Sequence, residues 1–461
     1  MTTLSIKLGY RMWDLTQIFL GKEESETLRN RFVRSATGVF GLNIAFNGLL
    51  FVISVILARL LGSAGYGAYA YALSWILVLG IAADLGLGGL LTRNIASYQT
   101  RSAWGLMTGL MEWAKRTVLF TSSGIALLSA VVLWILRTHL DPQILFPLLI
   151  ALILLPLTAL MRIRRTAMQG LYHLVLGQLP EMLFHPLLFI VLIGVVYLFV
   201  EGSITASWAV GMNIVATGAA LIISMKLLRK VFPQSARNAS PVYETRTWLS
   251  SGLFMMLVGG LHIINSRTDI LMLGAIKGAE AVGIYHAASR GAELIMLVLM
   301  PIHLALGPTV AGLYAEKNYE RLQRIVTKIT RLILLLSLPI MACLLIFGYW
   351  FLLLFGPDFT RGQIALSILS IGNLIHIALG PVALLLLMTR YERDATVGVG
   401  IGALLNVILN AFFIPIWGLE GAAIATVISK ISWNVLMAIW VYKRLKIHPT
   451  VLGRISLRRG V

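Results

Sequence analysis

The sequence predicts an all-α polytopic membrane protein with about twelve transmembrane helices, and three observations predict it. The 461 residues are 58% hydrophobic and only 12% charged, with a mean hydropathy of +0.86, whereas an ordinary soluble domain is about 25% charged. Apolar runs recur along the chain that are long enough to cross a bilayer as helices, which takes about 20 residues, and too long for barrel strands. Basic residues concentrate in alternate loops, as membrane topology requires.

The apolar runs define twelve spans. They cover residues 36–58, 67–91, 117–136, 144–161, 179–200, 204–225, 249–273, 282–307, 329–352, 364–388, 396–416 and 420–442. Of the 38 Lys and Arg residues, four lie in loops opposite the N-terminus, three lie within spans, and the other 31 lie on the N-terminal side. The seven exceptions are Arg59, Arg137, Lys277 and Arg361 in loops, and Arg267, Arg290 and Lys430 in spans. This bias predicts cytoplasmic termini, so the net charge of +19 reflects topology and no nucleic-acid partner is expected.

The second span carries a carboxylate among apolar residues. It follows a tight turn of small residues at 62–65 and contains Asp84 before it ends at Arg93. An unpaired carboxylate in hydrocarbon is costly, so we expect Asp84 to line a wet cavity or to belong to a charge pair that switches with conformation. Gly86 and the glycines after it would let another helix approach closely, or let this helix bend.

A short pattern recurs in the two halves of the chain. Residues 67–72 (GAYAYA) open the second span, and residues 283–288 (GIYHAA) open the eighth. Because six spans separate the two stretches, both halves enter the membrane from the same face, which is typical of parallel repeats with a substrate site between them. We therefore predict two six-helix bundles, over residues 36–230 and 249–442.

Three segments lie outside these bundles. Residues 231–248 form a basic cytoplasmic linker, and residues 443–461 form a basic cytoplasmic tail. Residues 1–35 have apolar residues on a cationic background, which is typical of either an interfacial helix or a loose tail.

The eleventh and twelfth spans are joined by a very short turn. The stretch 406–429 reads NVILNAFFIPIWGLEGAAIATVIS, in which Pro415 ends one span and Gly418 allows the turn. Gly421, Ala425 and Ser429 recur at four-residue intervals, which predicts a small-residue face for close helix packing.

Three stretches together resemble the bacterial polysaccharide flippases, a branch of the multidrug/oligosaccharidyl-lipid/polysaccharide exporter superfamily. Residues 61–93, with LGSAGYGAYAYA, then DLG and TR, resemble the second helix of that family, and 406–429 resembles its hairpin near the C-terminus. Residues 168–179 (MQGLYHLVLGQL) are similar to the turn after its fourth helix. The resemblance implies two bundles enclosing a central cavity that opens alternately to each face. It also implies functional roles for Asp84, Arg290 and Lys430.

Intramembrane charges are the candidate substrate ligands. Arg290, Lys430 and Arg267 could line a cavity for a pyrophosphate or an acidic sugar. The alternatives are that Arg290 is only a structural partner of Glu293, one helical turn away, and that Arg267 extends to the outer surface. Asp269 is two residues from Arg267 and needs a partner elsewhere.

Other polar residues in the spans are candidates for coupling. We interpret His262 and His376 as helix-packing histidines before proton relays. Asn406 and Asn410 share a helix face, and we interpret them as interhelical hydrogen-bonding residues before sodium ligands.

The resemblance, together with these intramembrane charges, implies a flippase that moves polyprenyl-diphosphate-linked oligosaccharides across the bacterial inner membrane by alternating access, for O-antigen, capsule or exopolysaccharide synthesis. The alternatives are a cation-coupled multidrug exporter of the same superfamily and a membrane glycosyltransferase or polymerase of the same pathway. The short outer loops disfavour an enzyme, and the sequence has no G-x-x-x-x-G-K-[ST] motif for ATP. No cofactor or metal is expected, while a polysaccharide polymerase and chain-length machinery are candidate partners.

Overall fold

The computed structural model describes residues 24–199 and 204–453. Within these residues every regular element is helical, and no strand occurs. The helices are α1 Glu24–Asp84, α2 Leu87–Thr100, α3 Trp104–Ile135, α4 Pro142–Ala151, α5 Leu154–Gly170, α6 Leu174–Leu179, α7 His185–Phe199, α8 Ala206–Val231, α9 Gln234–Arg237, α10 Thr245–Glu293, α11 Leu299–Ala315, α12 Tyr319–Leu353, α13 Gln363–Ala378, α14 Val382–Met388 and α15 Glu392–Leu445. Most of the segment expected to be an interfacial helix or a tail lies outside the described residues.

Three of the long helices are hairpins. Each contains one glycine with a positive φ, at Gly62 (68°), Gly278 (82°) and Gly418 (58°), a backbone conformation that costs glycine little. The chain reverses there, because residues on the two sides meet: Asn406 Nδ2 donates to Ser429 Oγ at 2.9 Å across the Gly418 bend. We call the side of the molecule with these bends the hairpin face, and the opposite side the terminal face.

The hairpins account for the number of spans. The described residues contain nine helices that are long and apolar enough to cross a membrane. Three of these nine are the two-armed helices α1, α10 and α15, so the nine helices correspond to the twelve predicted spans. The predicted all-α polytopic fold is confirmed.

The two halves meet at the hairpin face through their repeated glycines. A Cβ on Gly67 would lie 1.7 Å from the carbonyl oxygen of Ala279, and a Cβ on Gly283 would lie 2.0 Å from that of Ser63. Since Ser63 and Gly67 occupy the repeat positions of Ala279 and Gly283, the contact is reciprocal, as expected of two repeats related by an axis along the membrane normal. Arg59 Nε adds a hydrogen bond to the Leu354 carbonyl at 2.7 Å.

Several span boundaries differ from the sequence prediction. The second span ends at Asp84, and after Leu85 and Gly86, both with positive φ, the chain continues as α2. The eighth span is interrupted by a 3₁₀ turn at Leu294–Val298. The fourth span divides into α4 and α5, and α5 continues to Gly170, so the basic residues after position 161 are helical rather than part of a loop.

The linker packs on the N-terminal bundle. Val242 N donates to the Gly105 carbonyl at 2.9 Å, and Thr108 Oγ1 donates to the Ala236 carbonyl at 2.6 Å. Trp248, at the start of α10, is fully buried and donates its indole N–H to Tyr98 at 3.1 Å. Specific hydrogen bonds therefore fix the linker to α3, and the start of α10 to α2.

The start of the C-terminal tail packs on the C-terminal bundle. His448 N donates to Gln323 Oε1 at 2.6 Å, and Val451 N donates to the Ala378 carbonyl at 2.9 Å. Arg331 Nε donates to the Val451 carbonyl at 3.1 Å. The tail from 446 to 453 thus bridges α12 and the end of α13.

Candidate functional site

The C-terminal bundle brings five of the predicted site residues into one cluster. The Gly278 bend folds the arm that carries Arg267 and Asp269 back onto the arm that carries Arg290 and Glu293, and the second arm of α15 supplies Lys430. Electrostatic contacts connect all five side chains. We call this group the charged cluster.

Neutral donors bind the buried carboxylate of the charged cluster. Asp269 accepts a hydrogen bond from the Tyr285 hydroxyl at 2.6 Å, one from Ile270 N at 2.8 Å, and a longer one from Thr426 Oγ1 at 3.4 Å. Arg267 and Lys430 are its cationic neighbours but donate no hydrogen bond to it. Asp269 therefore keeps the two cations close without using their donors.

The cations retain unused donors. Lys430 Nζ donates to Asn373 Oδ1 at 2.9 Å, which engages one of its three protons. Arg290 Nη1 contacts Glu293 Oε2 at 3.2 Å, while its buried Nε has no hydrogen-bond partner in the described part of the chain. Arg267 has neither a hydrogen bond nor an ion pair among those residues, although Glu293 lies within electrostatic range. Guanidinium and ammonium groups with free donors are suited to phosphate oxygens.

The charged cluster is open on the side of Glu293. The side chain of Glu293 is 55% exposed although its helix belongs to a membrane-spanning segment. A carboxylate at that level is stable where it faces a wet cavity rather than lipid. The predicted pair of Arg290 with Glu293 is present, but it is open on one side.

The charged cluster adjoins the contact between the two bundles. His286 lies one turn before Arg290, and its Nδ1 is 2.9 Å from the hydroxyl of Tyr66 in the N-terminal bundle. Both side chains are buried. Their hydrogen bond crosses from one repeat to the other.

Asp84 lies in the N-terminal bundle, apart from the charged cluster. Its carboxylate forms a salt bridge with Arg162 of α5, within the N-terminal bundle. The carboxylate is almost fully buried, and Arg162 is 32% exposed. Asp84 is thus paired within one bundle in this structure. Arg162 could not be recognised from the sequence as its partner, because the fourth apolar run ends just before it.

The remaining candidates occupy separate environments. His262 is exposed on the first arm of α10, and the His376 ring lies 5.9 Å from that of Trp433. Asn406 bonds to Ser429 on the other arm of its hairpin, as expected of an interhelical hydrogen bond. Asn410 bonds back to Asn406 at 2.8 Å.

A second polar network in the N-terminal bundle was missed from the sequence. His185 Nε2 lies 2.8 Å from Asn213 Oδ1, and Asn213 Nδ2 donates to the Tyr69 hydroxyl at 3.1 Å. One turn before His185, Glu181 pairs with Arg165 at 2.8 Å. A carboxylate and a histidine four residues apart at the start of the fifth apolar run were the available signal.

The fold is that of a multi-pass membrane protein built from two helical bundles. The multidrug resistance MATE family transporter of the MOP superfamily in its inward-facing conformation superposes with a TM-score of 0.69 at 16% identity, over 89% of this chain and 98% of that one. A MOP superfamily transporter from Pyrococcus furiosus, described as having a binding pocket of reversed polarity, superposes with a TM-score of 0.62 at 15% identity. The match covers 89% of this chain and 95% of that one. These likenesses concern the fold alone.

The chain belongs to the family described as "Polysaccharide biosynthesis protein", which matches residues 32–314. The MatE family also matches residues 255–416. The probable low-salt glycan biosynthesis flippase Agl15 of Haloferax volcanii is 25% identical over 408 residues, 86% of this chain and 80% of that protein. The probable flippase AglR of the same organism is 26% identical over 237 residues, and the match spans about half of each protein.

Proposed function

We propose that this protein is a flippase that moves a glycan carried on a polyprenyl diphosphate across the cytoplasmic membrane by alternating access. The observation that carries the proposal is the charged cluster, in which Arg267, Arg290 and Lys430 keep donors that no carboxylate of the described chain occupies. A diphosphate offers several anionic oxygens, and guanidinium groups bind such oxygens in pairs. Family membership and the flippase relatives support the same class of substrate.

In this mechanism the bundles open first on the terminal face, where the diphosphate enters and contacts the charged cluster. The glycine contact closes the hairpin face, which the distribution of basic residues assigns to the outside. Release requires Gly67 and Gly283 to separate, and with them the hydrogen bond between Tyr66 and His286. The protein acts as a transporter rather than as an enzyme.

The bacterial inner membrane and an O-antigen, capsule or exopolysaccharide pathway complete the proposal, with a polymerase and chain-length machinery as partners. A cation-coupled multidrug exporter is the second candidate, because the MatE family matches residues 255–416 and the chain superposes on a multidrug resistance MATE family transporter. Three cations against two carboxylates in the charged cluster favour an anionic substrate over a cationic drug.

The test compares cells that lack the protein with cells that carry variants of the charged cluster. Arg290→Gln and Lys430→Gln should each lower translocation about tenfold or more, because each removes a charge-assisted hydrogen bond to phosphate. Arg290→Lys and Lys430→Arg should retain part of the activity. Lys277→Gln is the control, since Lys277 is exposed at the hairpin face and donates to the Pro415 carbonyl at 3.0 Å.

The readout is the leaflet in which complete lipid-linked glycans accumulate, with membrane abundance measured in parallel. Complete units trapped on the cytoplasmic side support the proposal. Complete units that reach the outer leaflet but stay unpolymerised indicate an enzyme of the pathway, and drug sensitivity without any glycan defect indicates the exporter. A loss of abundance that parallels the loss of activity would make the cations structural.

A further inference from the structure

Three arginines within four positions of α5 have different surroundings. Arg162 pairs with Asp84, and Arg165 pairs with Glu181 through both carboxylate oxygens, at 2.8 and 2.9 Å. Arg164, between them, has no carboxylate partner in the described part of the chain. Its Nε is buried and has no hydrogen bond there.

The charged neighbour of Arg164 is a second cation. Arg229 of α8 acts on it electrostatically, and Arg229 has no ion pair among the described residues. Arg229 lies in the last turn of α8, where the negative end of the helix dipole stabilises a cation. Arg164 is more than a turn from the end of α5 and gains little from that effect, so the pair lacks a counter-ion.

The packing of α5 against α8 explains why the two arginines meet. Met161 of α5 packs with Leu221 and the partly buried Met225 of α8. Arg164 follows Met161 by three residues and Arg229 follows Met225 by four, so both continue this apolar contact by one turn toward the terminal face. Arg164 lies six residues from the end of its helix, or about 9 Å, which is a depth within reach of lipid headgroups.

The outer surface of α8 beside this pair is suited to an acyl chain. Val215 and Ile222 are 57% and 52% exposed, and they precede Arg229 by fourteen and seven residues. Residues seven apart lie on nearly the same face of a helix. An exposed apolar stripe therefore runs along α8 in the membrane and ends at Arg229.

We propose that Arg164 and Arg229 bind the phosphate of an anionic phospholipid in the leaflet at the terminal face, with an acyl chain along the stripe of Val215 and Ile222. One phosphate supplies both the missing counter-ion and the acceptor that Arg164 lacks, in the forked geometry that guanidinium groups favour. The site lies in the N-terminal bundle, apart from the charged cluster, and does not depend on the proposed transport function.

The experiment uses the full-length protein, purified in a zwitterionic detergent. Native mass spectrometry counts phosphatidylglycerol and phosphatidylcholine adducts, and thermal unfolding is followed as each lipid or inorganic phosphate is added. We expect phosphatidylglycerol to bind in preference to phosphatidylcholine and to raise the unfolding temperature. Arg164→Gln and Arg229→Gln should each weaken phosphatidylglycerol binding about tenfold, because each removes a charged donor to phosphate.

Two further variants separate lipid binding from a general charge effect. Arg116→Gln removes a cation that already has a carboxylate neighbour, Glu112 at 3.6 Å, and should leave phosphatidylglycerol binding unchanged. Arg229→Glu supplies Arg164 with an internal partner, so the unfolding temperature of this variant should no longer depend on phosphatidylglycerol.

Equal binding of both lipids by the parent protein would overturn the proposal, as would unchanged phosphatidylglycerol binding in Arg164→Gln and Arg229→Gln. Full stabilisation by inorganic phosphate alone would assign the site to a free anion and overturn the lipid assignment. If Arg164→Gln unfolds on purification, Arg229→Glu decides the question, because it retains Arg164.

Discussion

The contact between the repeated glycines predicts what controls opening of the hairpin face. A methyl group at position 67 would lie 1.7 Å from the Ala279 carbonyl oxygen, whereas real Cβ atoms keep at least 3.0 Å from such atoms. Gly67→Ala must therefore move α1 and α10 apart by about 1.3 Å at this level. The hydrogen bond between Tyr66 and His286, at 2.9 Å, would be lost with that movement.

The destabilisation of the closed hairpin face by Gly67→Ala has two contributions. Overpacking costs about 1–3 kcal/mol and a lost hydrogen bond about 1 kcal/mol, so the closed hairpin face should be destabilised by about 3 kcal/mol. That corresponds to a change of about 150-fold in the ratio of closed to open molecules. Gly283→Ala, whose Cβ would lie 2.0 Å from the Ser63 carbonyl oxygen, should act in the same direction.

A buried reporter thiol would measure this opening. Ala287 is fully buried one turn beyond Gly283, so Ala287→Cys in a Cys343→Ser background should react slowly with a membrane-impermeant maleimide applied from outside. Gly67→Ala should raise the labelling rate strongly. Gly218→Ala on α8, where a Cβ meets no atom within 4 Å, should not.

Two results would refute this reasoning. If Gly67→Ala and Gly283→Ala are both labelled at the parent rate with normal expression, the glycine contact does not hold the hairpin face closed. If Gly218→Ala accelerates labelling to the same extent, the reporter measures general loosening of the helices rather than separation of the bundles.

The remaining predictions concern stability, measured by thermal or chemical unfolding in detergent. Asp84→Asn or Arg162→Gln alone should destabilise the protein by about 1–3 kcal/mol, since the first leaves the half-buried Arg162 unpaired and the second leaves the buried Asp84 unpaired. The double variant should recover much of the loss, and additive losses would contradict the pairing. Glu280→Gln, which breaks an exposed ion pair, should change stability by less than about 1 kcal/mol. Asn406→Leu and Ser429→Ala should each lower the free energy of unfolding by about 1 kcal/mol. Their effects should not add, because both remove the same interhelical hydrogen bond.

Membrane spans could be predicted from this sequence because each needs only a local apolar run. The bends at Gly62 and Gly418 were equally local, since each lies in a short glycine-containing turn between two such runs. The end of the fourth span could not be predicted in this way. Arg162 ends the apolar run, yet it remains in the helix because Asp84, 78 residues earlier, neutralises it.

For the same reason, only part of the charged cluster could be predicted from the sequence. Arg290 and Glu293 are one turn apart, so their pairing could be predicted, and the structure shows it. The partner of Asp269 is Tyr285, on the other arm of its hairpin, and the bond depends on how that hairpin folds. The contact of His286 with Tyr66 spans 220 residues and exists only when the two bundles pack together.

The repeat explains why the charged cluster lies in one half of the molecule. Tyr69 and Tyr285 occupy equivalent positions in the two repeats, and each bonds to a polar side chain within its own bundle. In the N-terminal bundle the partner is the neutral Asn213, whereas in the C-terminal bundle it is the carboxylate of Asp269. A carboxylate at that point can hold cations nearby, and Lys430 is among them. The duplicated scaffold therefore supplies the same tyrosine twice, and the difference in its partner favours the C-terminal half as the anion-binding side of the proposed cavity.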